Sequence, residues 1–242
     1  TGRLKQIDCT IGLENQSFLA IGPEHRTLYA VNEVMEINGQ PTGAVSAFSI
    51  DSLTGKLHYL NQAYTSSPGP CHLSVEHTGN YVLAANYTGG GITVFSTKSD
   101  GQLGEITDYI QHTGSSVDPK RQNEPHPHSI FVDPRNRFAF VPDLGLDKIL
   151  SYKLTLSDGK LTPNTIPWIG VEPGGGPRHL DFHPSGKYAY LINELNSTFV
   201  ALSYDAVNGT LYEVQTVSTL PENFRGENKC ADVHVSPNGR FL

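Results

Sequence analysis

The sequence predicts an all-β fold, a β-propeller made of four-stranded antiparallel blades, and three observations support this prediction. The composition is rich in turn-forming and aromatic residues, with 24 Gly, 16 Pro, 11 Tyr and 10 Phe in 242 residues. A turn followed by an alternating aromatic and aliphatic run occurs five times, at intervals of 50 to 57 residues. A second motif, a turn containing Gly-X-Leu, also occurs five times in phase with the first. Repetition of this kind indicates a repeat architecture.

The two motifs mark corresponding positions in each repeat. Copies of the first are GPEHRTLYAVNE (22–33), EHTGNYVLAANY (76–87), DPRNRFAFVPDL (133–144), HPSGKYAYLINE (183–194) and SPNGRFL (236–242). Copies of the second are TGRLKQI (1–7), TGKLHYL (54–60), DGQLGEI (100–106), DGKLTPN (158–164) and NGTLYEV (208–214). Both contain the Gly, Asn and Asp residues that suit tight turns between antiparallel strands.

One period contains four short strands, which is typical of a propeller blade. In the second copy they are CHLSVE, YVLAANY, GITVFST and LGEITDYI. The same spacing predicts about four whole blades, with a partial blade at each end, in a single domain over 1–242. Because the repeats are interrupted at both termini, we expect the chain to be truncated there. The whole blades, in order, are predicted at 17–63, 71–112, 127–168 and 177–217.

Charge and cysteine content argue against several classes of protein. The net charge is −7 and there is no run of Lys or Arg, so neither nucleic acid nor an anionic membrane surface is an expected partner. No apolar stretch approaches the roughly 20 residues of a membrane span. Three widely spaced cysteines argue against a disulfide framework and favour a reducing, cytoplasmic location. No obligate protein partner is evident.

The candidate site follows from comparing equivalent positions in successive blades. The first strand of a blade starts, and the second ends, at the same face of a propeller, so side chains at these two points share one mouth. In successive blades, the start of strand one holds Cys71, His128, Arg178 and Ala231. The next residue, in the same order, is His72, Ser129, His179 and Asp232. The end of strand two holds Asn32, Asn86, Asp143 and Asn193. The next residue, in the same order, is Glu33, Tyr87, Leu144 and Glu194. Different polar groups converging on one mouth favour a binding or catalytic site.

Simpler interpretations of these residues remain open. Arg178 and Glu194 lie in one hairpin and could form an ordinary ion pair, and the recurring Asn or Asp could tie a strand end to a turn. His126 and His128 fall on one strand face and could ligate a metal, for which His72, His179 or His234 would supply a third ligand. No carboxylate-plus-histidine signature accompanies them, so no metal is predicted. The glycine-rich stretches at 88–91 and 173–177 lack a P-loop Lys-Ser/Thr and are interpreted as turns.

Four segments resemble the lactonase family of seven-bladed β-propellers, which includes propeller-type 6-phosphogluconolactonases and the fungal carboxy-muconate cyclase. They are GPCHLSVEHTGNYVLAANYTGGGITVF, PHPHSIFVDPRNRFAFVPDLGLDKILSYKL, GGGPRHLDFHPSGKYAYLINELNSTFVAL and CADVHVSPNGRFL. The resemblance implies seven blades in the full protein. It also implies a carboxylic ester hydrolase that opens a small anionic sugar lactone, preferably 6-phosphogluconolactone, without metal or organic cofactor.

The resemblance also assigns residues to roles. His128 in PHPHS, Arg178 in GPRH and Glu194 in NEL match family motif positions, so the resemblance implies that these three residues are catalytic. His72, His179 and His234 match further family positions at the mouth and, with His126 and Asn193 from the blade comparison, are predicted to bind substrate. The alternatives are the cyclase reaction, which closes a lactone, and a non-catalytic scaffold. A mouth of His, Arg, Glu and Asn favours a small polar ligand over a protein.

Overall fold

The computed structural model describes residues 2–242, and its regular structure consists of sixteen β-strands in four sheets. Each sheet has four consecutive strands that pair antiparallel in chain order. Blade 1 comprises β1 (Leu19–Ile21), β2 (Thr27–Asn32), β3 (Ala44–Ile50) and β4 (Leu57–Tyr64). Blade 2 comprises β5 (Pro70–Val75), β6 (Tyr81–Asn86), β7 (Gly91–Thr97) and β8 (Leu103–Gln111).

The other two blades repeat this arrangement. Blade 3 comprises β9 (Phe131–Val132), β10 (Phe138–Asp143), β11 (Lys148–Thr155) and β12 (Lys160–Gly170). Blade 4 comprises β13 (Pro177–Phe182), β14 (Tyr188–Asn193), β15 (Thr198–Asp205) and β16 (Thr210–Ser218). The predicted all-β propeller of four-stranded blades is confirmed, with blade bounds within a few residues of those expected. Among the residues described, no helix is long and apolar enough to cross a membrane.

The core consists of apolar layers between neighbouring blades. Successive side chains of a strand point to opposite faces of its sheet, so each inner strand contributes to two layers. In β6, Val82 and Ala84 pack against blade 1, whereas Leu83 and Ala85 pack against blade 3. The third layer lies between blades 3 and 4. Alternate side chains of β10 point to opposite faces of its sheet, and Phe140 is one of those that pack against blade 4. This two-sided burial explains the nearly continuous apolar runs of the inner strands.

Two predicted strand starts differ from the structure, and one of them is Ala231, where the structure has no strand. His128 was expected to begin the first strand of blade 3, but β9 starts only at Phe131. Pro125 and Pro127 have no N–H to donate, so this stretch cannot form a regular ladder. It is held instead by an isolated bridge between Pro127 and Asp143 and by the His128 N–H, which donates to the Pro142 carbonyl at 2.9 Å.

Candidate active site

A cavity of about 480 Å³ lies at the face where first strands start and second strands end. Its lining comes from β5, from β13 and from residues that lie outside the strands. Its lining comprises Ser17, Phe18, Glu33, Cys71, Tyr87, Arg121, His128, Arg178, His179, Ala231 and Asp232.

His128 and Arg178 line this cavity, and both contact Glu194, which is not part of the lining. Glu194 directly follows β14 and is buried, with Oε2 accepting a hydrogen bond from Arg178 Nε at 3.1 Å. The same Oε2 lies 3.6 Å from His128 Nε2. The ion pair between Arg178 and Glu194 therefore exists, and it forms part of a larger cluster that also contains an imidazole.

Two of the cavity residues stand at β-bulges, which explains how a strand aims them at the mouth. The pairing of β5 with β6 shifts register between Pro70 and His72, leaving Cys71 unpaired. The pairing of β13 with β14 shifts in the same way around Arg178. A bulge inserts an extra residue and re-aims its side chain. Blades 2 and 4 thus share one equivalent bulge position, which they fill with different side chains.

Arg121 is a member of the cluster that the sequence analysis did not identify. It lies in the segment 112–130 between β8 and β9, outside the repeated motifs. Its Nη2 donates to Glu194 Oε1 at 2.7 Å and to the Tyr87 hydroxyl at 3.2 Å. Glu194 is therefore held between two arginines, one on each carboxylate oxygen. The length of this segment, greater than that of the other connections between blades, was the only signal in the sequence.

His128 is neutral in this environment. Its burial, reinforced by the positive charge of Arg178, holds its pKa well below the ordinary value. The thiol of Cys71 lies beside it, donating to the His128 carbonyl at 3.2 Å with Sγ 3.7 Å from Nδ1. Burial raises the pKa of Cys71, so this neighbour is an uncharged thiol.

Two further predicted histidines, His179 and His72, are buried near His128. The His179 ring lies 5.4 Å from that of His128 and 5.1 Å from that of His72. Burial lowers the pKa of both His72 and His179, and His179 Nδ1 contacts Asp232 Oδ1 at 2.7 Å.

His72 does not line the cavity; it packs between Phe18 and Phe131. His234 also lies outside the lining, with an exposed side chain whose Nε2 contacts Asp232 Oδ2 at 2.9 Å.

His126 and Asn193 do not line the cavity either. The His126 ring stacks on Tyr87 at 4.4 Å, and its Nδ1 lies 2.9 Å from the Tyr87 carbonyl oxygen. Asn193 is buried and donates to Thr198 Oγ1 at 2.9 Å, which matches the structural interpretation of the recurring Asn. Neither side chain contributes directly to the mouth in this structure. No group of three or more His, Cys, Asp or Glu in residues 2–242 is arranged to hold a metal ion.

A larger groove, of about 690 Å³, lies at the opposite face. It is formed by the β1–β2 and β3–β4 turns of blade 1 and the β5–β6 and β7–β8 turns of blade 2. Its charged residues are Glu24, Arg26, Lys98 and Asp100, and no histidine lines it. The smaller cavity has the buried imidazole and paired charges that acid–base chemistry needs, so it is the candidate active site.

Comparison with known proteins supports the fold. The family described as "Lactonase, 7-bladed beta-propeller" matches residues 1–242. A 6-phosphogluconolactonase of Bacillus subtilis (strain 168) is 36% identical over 230 residues, covering 95% of this chain and 63% of the relative. A 6-phosphogluconolactonase of Formosa agariphila is 33% identical over 243 residues, covering 99% of this chain and 65% of the relative.

A solved structure gives the same match in three dimensions. The periplasmic gluconolactonase of Pseudomonas aeruginosa superposes with a TM-score of 0.87 at 32% identity, covering 93% of this chain and 63% of that one. The chain therefore spans slightly under two thirds of the length of these relatives.

Proposed function

Because the chain belongs to the lactonase family of seven-bladed β-propellers, we propose that the protein hydrolyses a small anionic sugar lactone, 6-phosphogluconolactone in particular. The observation that carries this proposal is that His128 and Arg178 line one cavity and both contact the buried carboxylate of Glu194. Opening a lactone requires a base that activates water and a donor that stabilises the oxyanion. This cluster contains a candidate for each task.

His128 is the proposed base. Neither ring nitrogen has a close hydrogen-bond partner, since Nε2 has only the 3.6 Å contact with Glu194 and Nδ1 only the 3.7 Å contact with a thiol. A neutral imidazole can accept a proton as water oxygen attacks the lactone carbonyl carbon. When the ring C–O bond breaks, the same proton passes to the departing alkoxide oxygen. Lactone and water then give the open hydroxy acid.

Arg178 is the proposed oxyanion donor. Its Nε donates a hydrogen bond to Glu194 and its Nη1 donates one to the Ala231 carbonyl oxygen. These two bonds fix the guanidinium in place. Nη2 makes no hydrogen bond to the described residues, and the side chain lines the cavity. Glu194 acts through Arg178 and is a positioning residue. Donors fixed before reaction stabilise developing charge without reorganisation.

The test is hydrolysis of 6-phosphogluconolactone by the protein and by two variants, Arg178→Ala and Glu194→Ala. Loss of one oxyanion donor lowers kcat by about 10²- to 10³-fold, so we expect a fall of that order for Arg178→Ala. Arg135→Ala is the matched control, because Arg135 is exposed at the β9–β10 turn on the opposite face. Undiminished turnover in both site variants, with circular dichroism unchanged, would rule out the assigned site.

The same assay distinguishes the other candidate functions. Lactone formation from carboxy-muconate without hydrolysis of the sugar lactone would establish the cyclase reaction. Inactivity with both, combined with capture of a protein by the mouth, would establish a scaffold. The cytoplasmic location stays a prediction.

A further inference from the structure

We propose that Arg121 binds the phosphate of the substrate and sets the preference for a phosphorylated over an unphosphorylated sugar lactone. This inference rests on the proposed lactone hydrolysis and assigns a residue that the repeat comparison did not identify. Four observations lead to it: the free donors of the guanidinium, its rigid support, the local excess of positive charge, and the hydroxyl beside it.

Arg121 retains more unused hydrogen-bonding capacity than Arg178. Only Nη2 is engaged, with Glu194 and Tyr87, whereas Nε and Nη1 make no hydrogen bond to residues 2–242. The side chain is 29% exposed and lines the cavity. A guanidinium donates strong, charge-assisted hydrogen bonds to phosphate oxygens. The free Nε and Nη1 of Arg121 lie on different edges of the guanidinium, and each has an N–H that can donate one such hydrogen bond.

The backbone that carries Arg121 is fixed by hydrogen bonds, so the guanidinium is positioned before substrate arrives. Asp118 Oδ1 accepts from the N–H of Lys120 and of Arg121, at 2.8 and 3.2 Å. The buried side chain of Gln122 accepts from the Asp118 N–H and donates to Asp147 Oδ1 at 2.7 Å. An anion-binding group held in this way loses little conformational entropy on binding.

The charge around Arg121 is locally positive. Arg121 and Arg178 share Glu194, and His128 is neutral, so this cluster carries an excess charge of one. Over the wider site, however, Glu33 and Asp232 also line the cavity, and Asp232 is already paired with two histidines. Recognition of an anion must therefore come from direct contact with a guanidinium, because the mouth as a whole provides no general positive field.

Tyr87 adds a second donor to the same place. Its hydroxyl oxygen accepts from Arg121, which leaves its own O–H free to donate into the cavity that it lines. Burial raises the pKa of Tyr87, so the phenol keeps this proton. His126, stacked on the Tyr87 ring, fixes its orientation. His126 thereby acts on the site through Tyr87, which explains its place outside the cavity.

The experiment compares 6-phosphogluconolactone with unphosphorylated gluconolactone for the protein and for Arg121→Gln. Both reactions should slow, because Glu194 loses one partner. The ratio of kcat/KM for the phosphorylated to the unphosphorylated lactone should fall by a further factor of about 10 to 100, the value of one lost charge-assisted hydrogen bond. That fall should appear chiefly in KM. Arg121→Lys should recover part of the ratio.

Lys120→Gln is the matched control, since it removes the same charge from the neighbouring, exposed position of the same segment. It should leave the ratio unchanged. Equal losses on both lactones for Arg121→Gln would overturn the inference and make Arg121 a positioning residue for Glu194.

A direct binding measurement separates this inference from the proposed function. Calorimetry with 6-phosphogluconate and with gluconate reports phosphate recognition without turnover. If neither lactone is hydrolysed, the proposed function fails, and the calorimetry still decides the role of Arg121. A preference for 6-phosphogluconate that Arg121→Gln abolishes supports the inference, whereas equal binding of the two acids refutes it.

Discussion

The protonation state of His128 depends on the residues packed around it. The ring is buried against Tyr87 and His179, and Arg178 shares Glu194 with it. Burial and the arginine both disfavour the imidazolium, so the free base persists well below the ordinary pKa of histidine. The proposed base therefore stays available over a wide range of pH.

This arrangement predicts the pH dependence of turnover. The proposed mechanism requires the neutral ring, so kcat/KM should fall on the acid side as His128 is protonated, with a midpoint well below pH 6.5. His128→Gln should lower kcat by about 10²- to 10⁴-fold, the usual value of a general base. The measurement is kcat/KM between pH 5 and 8, with His77→Gln, at an exposed turn of the opposite face, as the control. An acid limb centred at or above pH 6.5 would contradict the prediction.

At the scale of elements, one buried carboxylate ties together the segments that carry both arginines. Asp147, in the β10–β11 turn, accepts from Gln122 Nε2 and Ser116 Oγ in the segment before β9. It also accepts from the N–H groups of Gly174 and Gly176, in the segment that leads into β13. The glycine-rich stretch at 173–177 is therefore a turn, as predicted, whose N–H groups are occupied by a side chain.

Asp147→Ala should consequently impair both stability and activity. It leaves several buried donors without an acceptor, each costing about 1–3 kcal/mol, so the free energy of unfolding should fall by at least about 3 kcal/mol. Turnover should fall as well, because Arg121 and Arg178 lose a common support. Urea denaturation and kcat/KM measure the two effects. Asp158→Ala, at the exposed β11–β12 turn, is the control and should change stability by no more than about 0.5 kcal/mol.

Elements governed by local chemistry were predictable, and those fixed by distant contacts were not. The turn residues and the alternation of apolar residues predicted the positions of the blades. The phase of the repeat predicted that His128, Arg178 and Glu194 lie close together at one mouth. Arg121 escaped prediction because its partner Glu194 lies 73 residues away and its segment has no counterpart in the other blades. The position of Asn193 outside the cavity lining was equally hidden, since an Asn at a strand end suits either a site or a turn.

At the scale of the whole molecule, burial of histidines in the layers between blades links stability to pH. Burial lowers the pKa of His72, His128 and His179 in the folded state. The unfolded chain protonates these rings at the ordinary value of 6.5, whereas the folded chain does not. The unfolded state therefore binds more protons below pH 6.5, and the stability present above that value is lost as the pH falls toward the folded-state values.

Lowering the pH from 7.5 to 5.5 should thus weaken the fold by about 1 kcal/mol for each ring that stays neutral, or about 2–4 kcal/mol in total. Urea denaturation at the two pH values gives the difference directly. His72→Leu removes one of the three rings. The decrease in its free energy of unfolding between pH 7.5 and 5.5 should therefore be smaller by about 1 kcal/mol, whatever the variant's stability at pH 7.5. His77→Gln, which changes an exposed ring, should retain the full loss. A stability that does not change between the two pH values would show that the buried rings are protonated equally in the folded and unfolded states.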